Sequence, residues 1–129
     1  MGQNKSESPT GFIKQSLSWF YNTQINATAN PIIKFTTKVG FTPLALRVCF
    51  TADRTTGNET YVVSMEDDTV AISTANDAVA GATGYKVIEA TFALSTHVAK
   101  DSVVEIIFTL GGTSPLMDAT VIELDYIED

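Results

Sequence analysis

The sequence predicts an all-β fold, an antiparallel sandwich of eight strands, and four observations support this. Apolar and polar residues alternate over short segments, which is the pattern of strands with one buried face. Turn-forming residues interrupt these segments roughly every 8–12 residues, the spacing typical of sandwiches and barrels. No segment sustains the 3.6-residue period of an amphipathic helix. Threonine, which favours strands, supplies 18 of the 129 residues.

The predicted strands follow one another from Ser16 onward. They are SLSWFYNTQI, IIKFTTKV, FTPLALRVCF, ETYVVSM, TVAIS, YKVIEATFAL, SVVEIIFTL and ATVIELDYI. Clusters of Gly, Pro, Asn and Asp separate them, and the longest predicted loop is ANDAVAGATG. Period two groups the predicted core residues by strand: Leu17, Trp19 and Tyr21; Ile33, Phe35, Thr37 and Val39; Leu44, Leu46, Val48 and Phe50; Tyr61, Val63 and Met65; Ile88, Ala90, Phe92 and Leu94; and Val104, Ile106, Phe108 and Leu110.

The seventh predicted strand, SVVEIIFTL, is apolar on both faces. One face carries the core residues given above, and Val103 and Ile107 lie on the other. A strand of this kind is usually central in its sheet and covered on both sides. Loops or a second chain could cover the outer face, and we expect a second chain. Val103 and Ile107, together with Cys49 from the third strand, are therefore the predicted subunit interface.

Charge divides the chain into two parts. Residues 1–40 carry four lysines against one acid, a net charge of +3, whereas residues 41–129 carry four bases against 14 acids, a net charge of −10. Such asymmetry indicates a basic arm on an acidic body. We expect residues 1–16 to form an extended docking arm and residues 17–129 to form the sandwich domain, a frayed terminus being the alternative for the arm. The predicted contact residues of the arm are Lys5, Phe12, Ile13 and Lys14.

Composition excludes several classes of protein. A net charge of −7 argues against binding to nucleic acid or to an anionic membrane through a basic face. Cys49 is the only cysteine, so an intrachain disulfide and a cysteine-based zinc site are both excluded. No apolar stretch reaches the roughly 18 residues of a membrane-spanning helix, and the first 16 residues do not resemble a signal peptide. We expect a protein made in the cytoplasm, with neither nucleic acid nor membrane as a partner.

No combination of residues in the sequence identifies a catalytic site. His97, the only histidine, has Ser95 and Asp101 nearby in the chain, and we interpret it as a solvated loop residue. Three adjacent acids follow the fourth predicted strand: Glu66, Asp67 and Asp68. They offer the oxygen ligands that calcium prefers, but without the spacing of an EF-hand loop. The sequence therefore predicts no enzyme, no metal site and no cofactor, with calcium at the acidic triplet as the alternative to a solvated turn.

Aromatic residues offer one further possibility. Trp19, Tyr61 and Tyr85 are the candidates for stacking on sugar rings if they are exposed. Because aromatic side chains dominate core burial, we expect Trp19 to pack in the core instead.

Two stretches carry a resemblance to a known family. The aromatic-rich SWFYNTQI precedes a turn, a proline and a long apolar strand in NPIIKFTTKVGFTPLALRVCF. Near the end, a Lys100-Asp101 turn begins a strand, a loop of small residues with Pro115 follows, and the last strand carries Tyr126. Over about 110 residues, from Trp19 to Ile127, this order resembles the small jelly-roll domains of tailed-bacteriophage structural proteins. The EDD corner and the long ANDAVAGATG loop depart from that pattern.

The resemblance implies a jelly roll, frequent trimers, and a binding or structural role without catalysis. We therefore expect a virion protein made in the host cytoplasm, most simply a head decoration or cement protein. Its arm would dock on the major capsid protein or another virion protein, and its sandwich would form a homotrimer. The alternative is a receptor- or carbohydrate-binding jelly-roll module of a tail fibre or baseplate.

Overall fold

The predicted antiparallel β-sandwich is confirmed by the computed structural model, which describes residues 13–26, 32–52, 57–74, 76–79 and 84–129. Two sheets pack face to face. The first sheet has the order β1 (Lys14–Tyr21), β10 (Leu116–Glu128), β4 (Phe41–Ala52) and β8 (Gly84–Ala90), and β2 (Ile25–Asn26) also pairs with β10. The second sheet has the order β3 (Ile32–Thr36), β9 (Val103–Gly111), β5 (Thr60–Asp67) and β6 (Val70–Ala71), and β7 (Asn76–Val79) also pairs with β5.

The strand pairs are nested along the chain. β1 pairs with β10, β3 with β9, β4 with β8, and β5 with β6, all antiparallel. Pairing of β10 with β4, and of β9 with β5, joins these pairs into the two sheets. β9 is therefore central in its sheet, as the apolar character of both its faces predicted.

The core lies between the sheets and follows the predicted alternation. In β5 and β9, every second residue is buried, including Tyr61 and Phe108. Phe50 of the first sheet packs against Tyr61 of the second, with ring centroids 5.0 Å apart. Trp19 packs in the same way against Phe35 at 6.0 Å, so its predicted place against the core is confirmed. Each large apolar side chain buried in this layer contributes about 1.5–3 kcal/mol.

Five residues predicted for the core are substantially exposed: Leu17, Tyr21, Val39, Leu44 and Leu94. Leu17 and Tyr21 are exposed because β1 is an edge strand of the first sheet. Leu44 is 40% exposed because the β4–β10 register shifts there, with Asp125 opposite Ala45 and Tyr126 opposite Pro43. An extra residue of this kind is a β-bulge, and it reverses the alternation locally. Val39 and Leu94 are exposed because β3 ends at Thr36 and β8 ends at Ala90, before the predicted alternation reaches them.

The strand count and two boundaries also differ from prediction. The described residues contain ten strands, not eight, because β2 and β7 are additional short strands. β7 lies within the predicted loop ANDAVAGATG, where pairing with β5 provides hydrogen bonds that local composition does not reveal. β1 begins at Lys14, so the last three residues of the predicted arm belong to the sheet. Lys5 and Phe12 of the predicted arm lie outside the described residues.

The β5–β6 hairpin turns through two residues with positive φ, Asp68 at 47° and Thr69 at 70°. Two such residues in a two-residue loop fit the twist of the flanking strands, and glycine is preferred at the second position. Asp68 is also fixed by the second sheet, because its Oδ1 accepts a hydrogen bond from the Val103 amide at 2.8 Å.

Replacing Thr69 by glycine is expected to stabilise the protein by about 0.5–1 kcal/mol. A left-handed conformation costs an L-residue about 1–2 kcal/mol, and the greater freedom of glycine in the unfolded chain offsets part of the gain. Urea unfolding of T69G measures the change. The control is T109G, which places glycine in exposed β9 backbone without positive φ and should destabilise instead. Equal destabilisation by both variants would contradict the assignment of strain to Thr69.

Candidate interaction surfaces

The base of the predicted arm is held to the sheet by polar side chains. Ser16 Oγ donates to Asp125 Oδ1 at 2.5 Å, and Lys14 Nζ lies 3.5 Å from Asp125 Oδ2. The Ser16 hydrogen bond, with a smaller contribution from Lys14, lowers the pKa of Asp125 below its usual range. Gln15 donates to Glu128 Oε1 at 2.9 Å. Lys14, predicted to contact another protein, is thus already engaged within the fold, and Ile13 is half-buried beside it.

The predicted subunit interface falls on opposite faces of the sandwich. Val103 and Ile107 lie half-buried on the outer face of the second sheet, because their neighbours Val104 and Ile106 point into the core. Cys49 lies half-buried on the outer face of the first sheet. One flat partner surface therefore cannot cover all three residues, and their role in an interface stays a prediction.

An apolar row crosses the outer face of the first sheet. Register places four residues side by side, one from each strand: Phe20, Val121, Cys49 and Val87. Phe20 is 64% exposed and Val87 is 47% exposed. Tyr85 lies beside this row on the same face, opposite Thr51 in the register. Its hydrogen bond with Cys49 raises the pKa of the Tyr85 phenol.

The next row across the same face is charged. Arg47 lies between Glu123 and Glu89 in the register, and its Nη1 donates to Glu123 Oε1 at 2.6 Å. The second acid is farther away, with Arg47 Nε 3.7 Å from Glu89 Oε2. The hydrogen bond with Glu123 raises the pKa of Arg47. A surface that combines a charged row with an apolar row is suited to contact with another protein.

An apolar cleft of about 190 Å³ opens at one side of the sandwich. Its apolar lining comes from both sheets and from the segment after β3: Leu17, Phe35, Val39, Phe41, Leu124 and Tyr126. Lys38 stands at its border. The cleft lies between β1 and β3, the strands that end the two sheets on this side. Sequence patterns could not reveal the cleft, because it depends on how far apart the two edge strands lie in the folded molecule.

The candidate catalytic residues do not converge. His97 Nε2 lies 2.8 Å from Asp129 Oδ1 and 2.9 Å from Oδ2, so its acidic partner is Asp129 and not Asp101. Asp101 lies in the turn before β9, with φ of 71° and its amide donating to Thr37. His97 therefore helps to hold Asp129 in position. The Asp129 amide also donates to the Gly40 carbonyl at 3.0 Å.

The acidic triplet does not form a shared site. Glu66 and Asp67 are consecutive in β5 and so point to opposite faces of the second sheet, while Asp68 is in the turn and bonds the Val103 amide. In the described ranges, no group of three His, Cys, Asp or Glu side chains is placed to hold a metal ion. The calcium alternative therefore has no support from the geometry, and the expectation of no cofactor stays a prediction.

A buried acid that the sequence did not single out holds two loops together. Glu59 is fully buried, and its two carboxylate oxygens accept from the amides of Gly57 at 2.9 Å and Ser114 at 3.0 Å. Gly112 permits this contact, since its φ is +96° and a Cβ there would lie 2.6 Å from the Asn58 carbonyl oxygen. The loop of small residues that precedes the last strand is thus held in a fixed position. No sequence signal marks a partner 55 residues away.

Comparison with known proteins gives no family for this chain. No protein-family model matches it, and no curated protein matches it significantly. In the part of the chain that the structure describes, no helix has the length and hydropathy needed to cross a membrane.

Replacing Ser16 by alanine is expected to raise the pKa of Asp125 toward its usual value. A lowered pKa in the folded state contributes stability that is present above about pH 4 and is lost as the pH falls through the folded-state pKa. S16A should therefore lose less than about 1 kcal/mol at pH 7, because the contact is exposed, and progressively less as the pH falls through the folded-state pKa of Asp125. NMR titration of the aspartate carboxyl carbons measures the pKa. The control is S18A, which lies two residues along the same face of β1 and should leave the pKa of Asp125 unchanged. An equal shift in both variants would show that the Ser16 hydrogen bond does not lower this pKa.

Proposed function

We propose that this chain is a non-enzymatic structural protein of a tailed-bacteriophage virion, and that it decorates the head. The observation that carries the proposal is the nested strand order, β1-β10-β4-β8 over β3-β9-β5-β6. This nested order of two antiparallel sheets resembles that of a jelly roll, a fold used in viral capsid proteins, and so supports the proposal. β2 and β7 are additions to that order. One fold can host many functions, so the fold alone does not assign a function to this chain. The experiments below therefore test whether the protein decorates the head.

The surfaces of the body support a role in assembly. The outer face of the first sheet displays an apolar row, with Phe20 and Val87 both substantially exposed. Exposed apolar patches on a small domain are typical of surfaces that contact other proteins, membranes or ligands. In this proposal, residues 1–12 attach the protein to the capsid, and the sandwich forms the trimer and projects outward.

The alternative function is a receptor- or carbohydrate-binding module of a tail fibre or baseplate. One observation favours it, since Tyr85 is 69% exposed beside the apolar row and could stack on a sugar ring. The other two aromatic candidates do not support it. Tyr61 is fully buried, and Trp19 packs against Phe35.

Antibody labelling of virions tests the proposed location. Antibody against the purified chain is expected to label the heads of phage particles released from the strain that encodes it. Labelling of tail tips would support the alternative, and particles without label would overturn both assignments.

Attachment through residues 1–12 is tested with a truncated chain. Because β1 begins at Lys14, removal of residues 1–12 leaves every described strand intact. Heads prepared without the protein should bind the full chain in a sedimentation assay and should lose at least tenfold affinity for the truncated chain. Unfolding of both chains by urea serves as the control for folding. Equal binding of the two would refute the role of the arm.

Light scattering after size exclusion tests the trimer. Three chains of 13.9 kDa give a particle of about 42 kDa. A single-chain mass at micromolar concentration would overturn self-association by the free protein.

A further inference from the structure

We propose that the free edge of β1 and the apolar cleft beside it bind an extended segment of another protein, one that carries an aliphatic residue and an acidic residue. The segment adds to the first sheet as a strand antiparallel to β1. Its aliphatic side chain enters the cleft, and its acidic side chain lies near Lys38. This site goes beyond the proposed function, and it depends neither on the virion location nor on the trimer.

The backbone of β1 is open to a new strand along one side. β1 is an edge of the first sheet, and its eight residues pair with β10 alone. Among the described residues, no backbone hydrogen bond joins Lys14–Tyr21 to any segment other than β10. Alternate residues of such an edge direct their amide and carbonyl groups away from the sheet. An extended peptide can pair with these groups, which is a common mode of peptide recognition.

The two sheets meet at one point along this edge and separate beyond it. Trp19 of β1 contacts Phe35 of β3, with ring centroids 6.0 Å apart. Leu17 lies two residues along the same face of β1, and there the cleft of about 190 Å³ lies between the sheets. The cleft extends from Leu17 to Tyr126, which is opposite Gln15 in the register. The gap is therefore directly beside the free edge of β1.

A strand added to β1 would place a side chain in this gap. Adjacent strands lie about 4.8 Å apart, so the inward side chain opposite Leu17 continues the row formed by Leu17 and Leu124. The cleft volume exceeds the roughly 150 Å³ of a cavity that accepts benzene, so one aliphatic side chain fits. Leu17 and Val39 line the cleft and are 40% and 42% exposed. Covering their apolar surface is favourable.

The charge at the border of the cleft selects an acid. Lys38 is exposed there, and within the described ranges its ammonium has neither an ion pair nor a hydrogen bond. The two acids at the end of β10 are already engaged. Glu128 accepts from Gln15 at 2.9 Å. Asp129 lies 2.8 Å from the His97 ring nitrogen. An unpaired lysine beside an apolar cleft attracts a segment with an acid and disfavours one with a base.

The register predicts the order of the two residues in the segment. The turn that carries Lys38 lies at the Lys14 end of β1, because the Gly40 carbonyl accepts from Asp129 and Lys14 pairs with Ile127. In a strand antiparallel to β1, the direction from Leu17 toward Lys14 leads to the C-terminus of the segment. Side chains two residues apart share one face of a strand. The acid should therefore follow the aliphatic residue by two positions.

Nuclear magnetic resonance with the full chain tests the binding. The probe is an end-capped nine-residue peptide of threonine and serine, with leucine at its centre and aspartate two residues later. Saturable shifts are expected at the amides of Leu17 and Val39. A peptide with alanine in place of leucine should bind at least tenfold more weakly. No saturable shift at these amides, or equal affinity of the two peptides, would overturn the proposal.

A charge exchange tests the role of Lys38. K38E should bind the aspartate peptide at least fivefold more weakly than the unmodified chain. It should also bind a peptide with lysine in place of aspartate more tightly than the unmodified chain does. The control is K34E, which makes the same change in net charge on the outer face of the second sheet, since Ile33 and Phe35 pack toward the core. Equal effects of K38E and K34E would overturn recognition of the acid by Lys38.

Two valine variants test the cleft. V39S changes a side chain that lines the cleft, and V87S makes the same change on the outer face of the first sheet. The two valines are similarly exposed, at 42% and 47%, so both variants should fold, and urea unfolding checks this. V39S should weaken binding of the leucine peptide at least threefold, and V87S should leave it unchanged. Equal affinities would overturn insertion into the cleft.

Backbone methylation of the peptide tests strand addition. Two peptides are compared, each methylated on one of the two alternating sets of amide nitrogens. Only one set faces β1 in an added strand, so one peptide should lose at least tenfold affinity and the other should bind as before. Equal affinity of both methylated peptides would overturn pairing with the edge of β1.

The chain without residues 1–12 distinguishes a segment of another protein from the protein's own N-terminal segment. The full and truncated chains should bind the leucine peptide with equal affinity. Binding by the truncated chain alone would show that residues 1–12 occupy the site, and it would overturn the assignment of the site to another protein.

Discussion

Apolar contact between the two sheets is the interaction on which the rest of the structure depends. Phe50 on Tyr61 and Trp19 on Phe35 join layers that share few backbone hydrogen bonds. Because side chains alternate along a strand, burial of one set fixes which residues face outward. The apolar row through Cys49 and the charged row through Arg47 are therefore direct consequences of how the core is filled.

Each sheet of a sandwich ends in edge strands whose backbone groups can pair with another chain, and this protein protects its edge strands unequally against such pairing. β6 is only two residues long, and β3 is five residues long with Lys34 at its centre. Short strands and lysines are the common ways of discouraging pairing with another chain. β1 is eight residues long and exposes Leu17 and Phe20, one on each of its faces. An edge of this kind favours contact with another chain.

The alternation of residues in the sequence was sufficient to predict the fold class and most of the core. Tyr61 could be placed because β5 is regular along its whole length. Leu44 and Leu94 could not be placed correctly from the sequence. The bulge at Leu44 and the end of β8 before Leu94 depend on the partner strand and not on local composition. Glu59 and the cleft were missed for a related reason: each depends on segments that are distant in the chain and meet only in the folded molecule.

The position of β10 has a consequence for biosynthesis. This strand is central in the first sheet, yet it is the last strand of the sandwich to be made, and its partner β1 is among the first. Gln15 and Glu128, which join them, are 113 residues apart. While the ribosome is still translating, β1 and β4 have no partner between them, and their apolar faces are open to chaperones or to misassociation. The first sheet of this chain therefore cannot be completed until β10 has been synthesised.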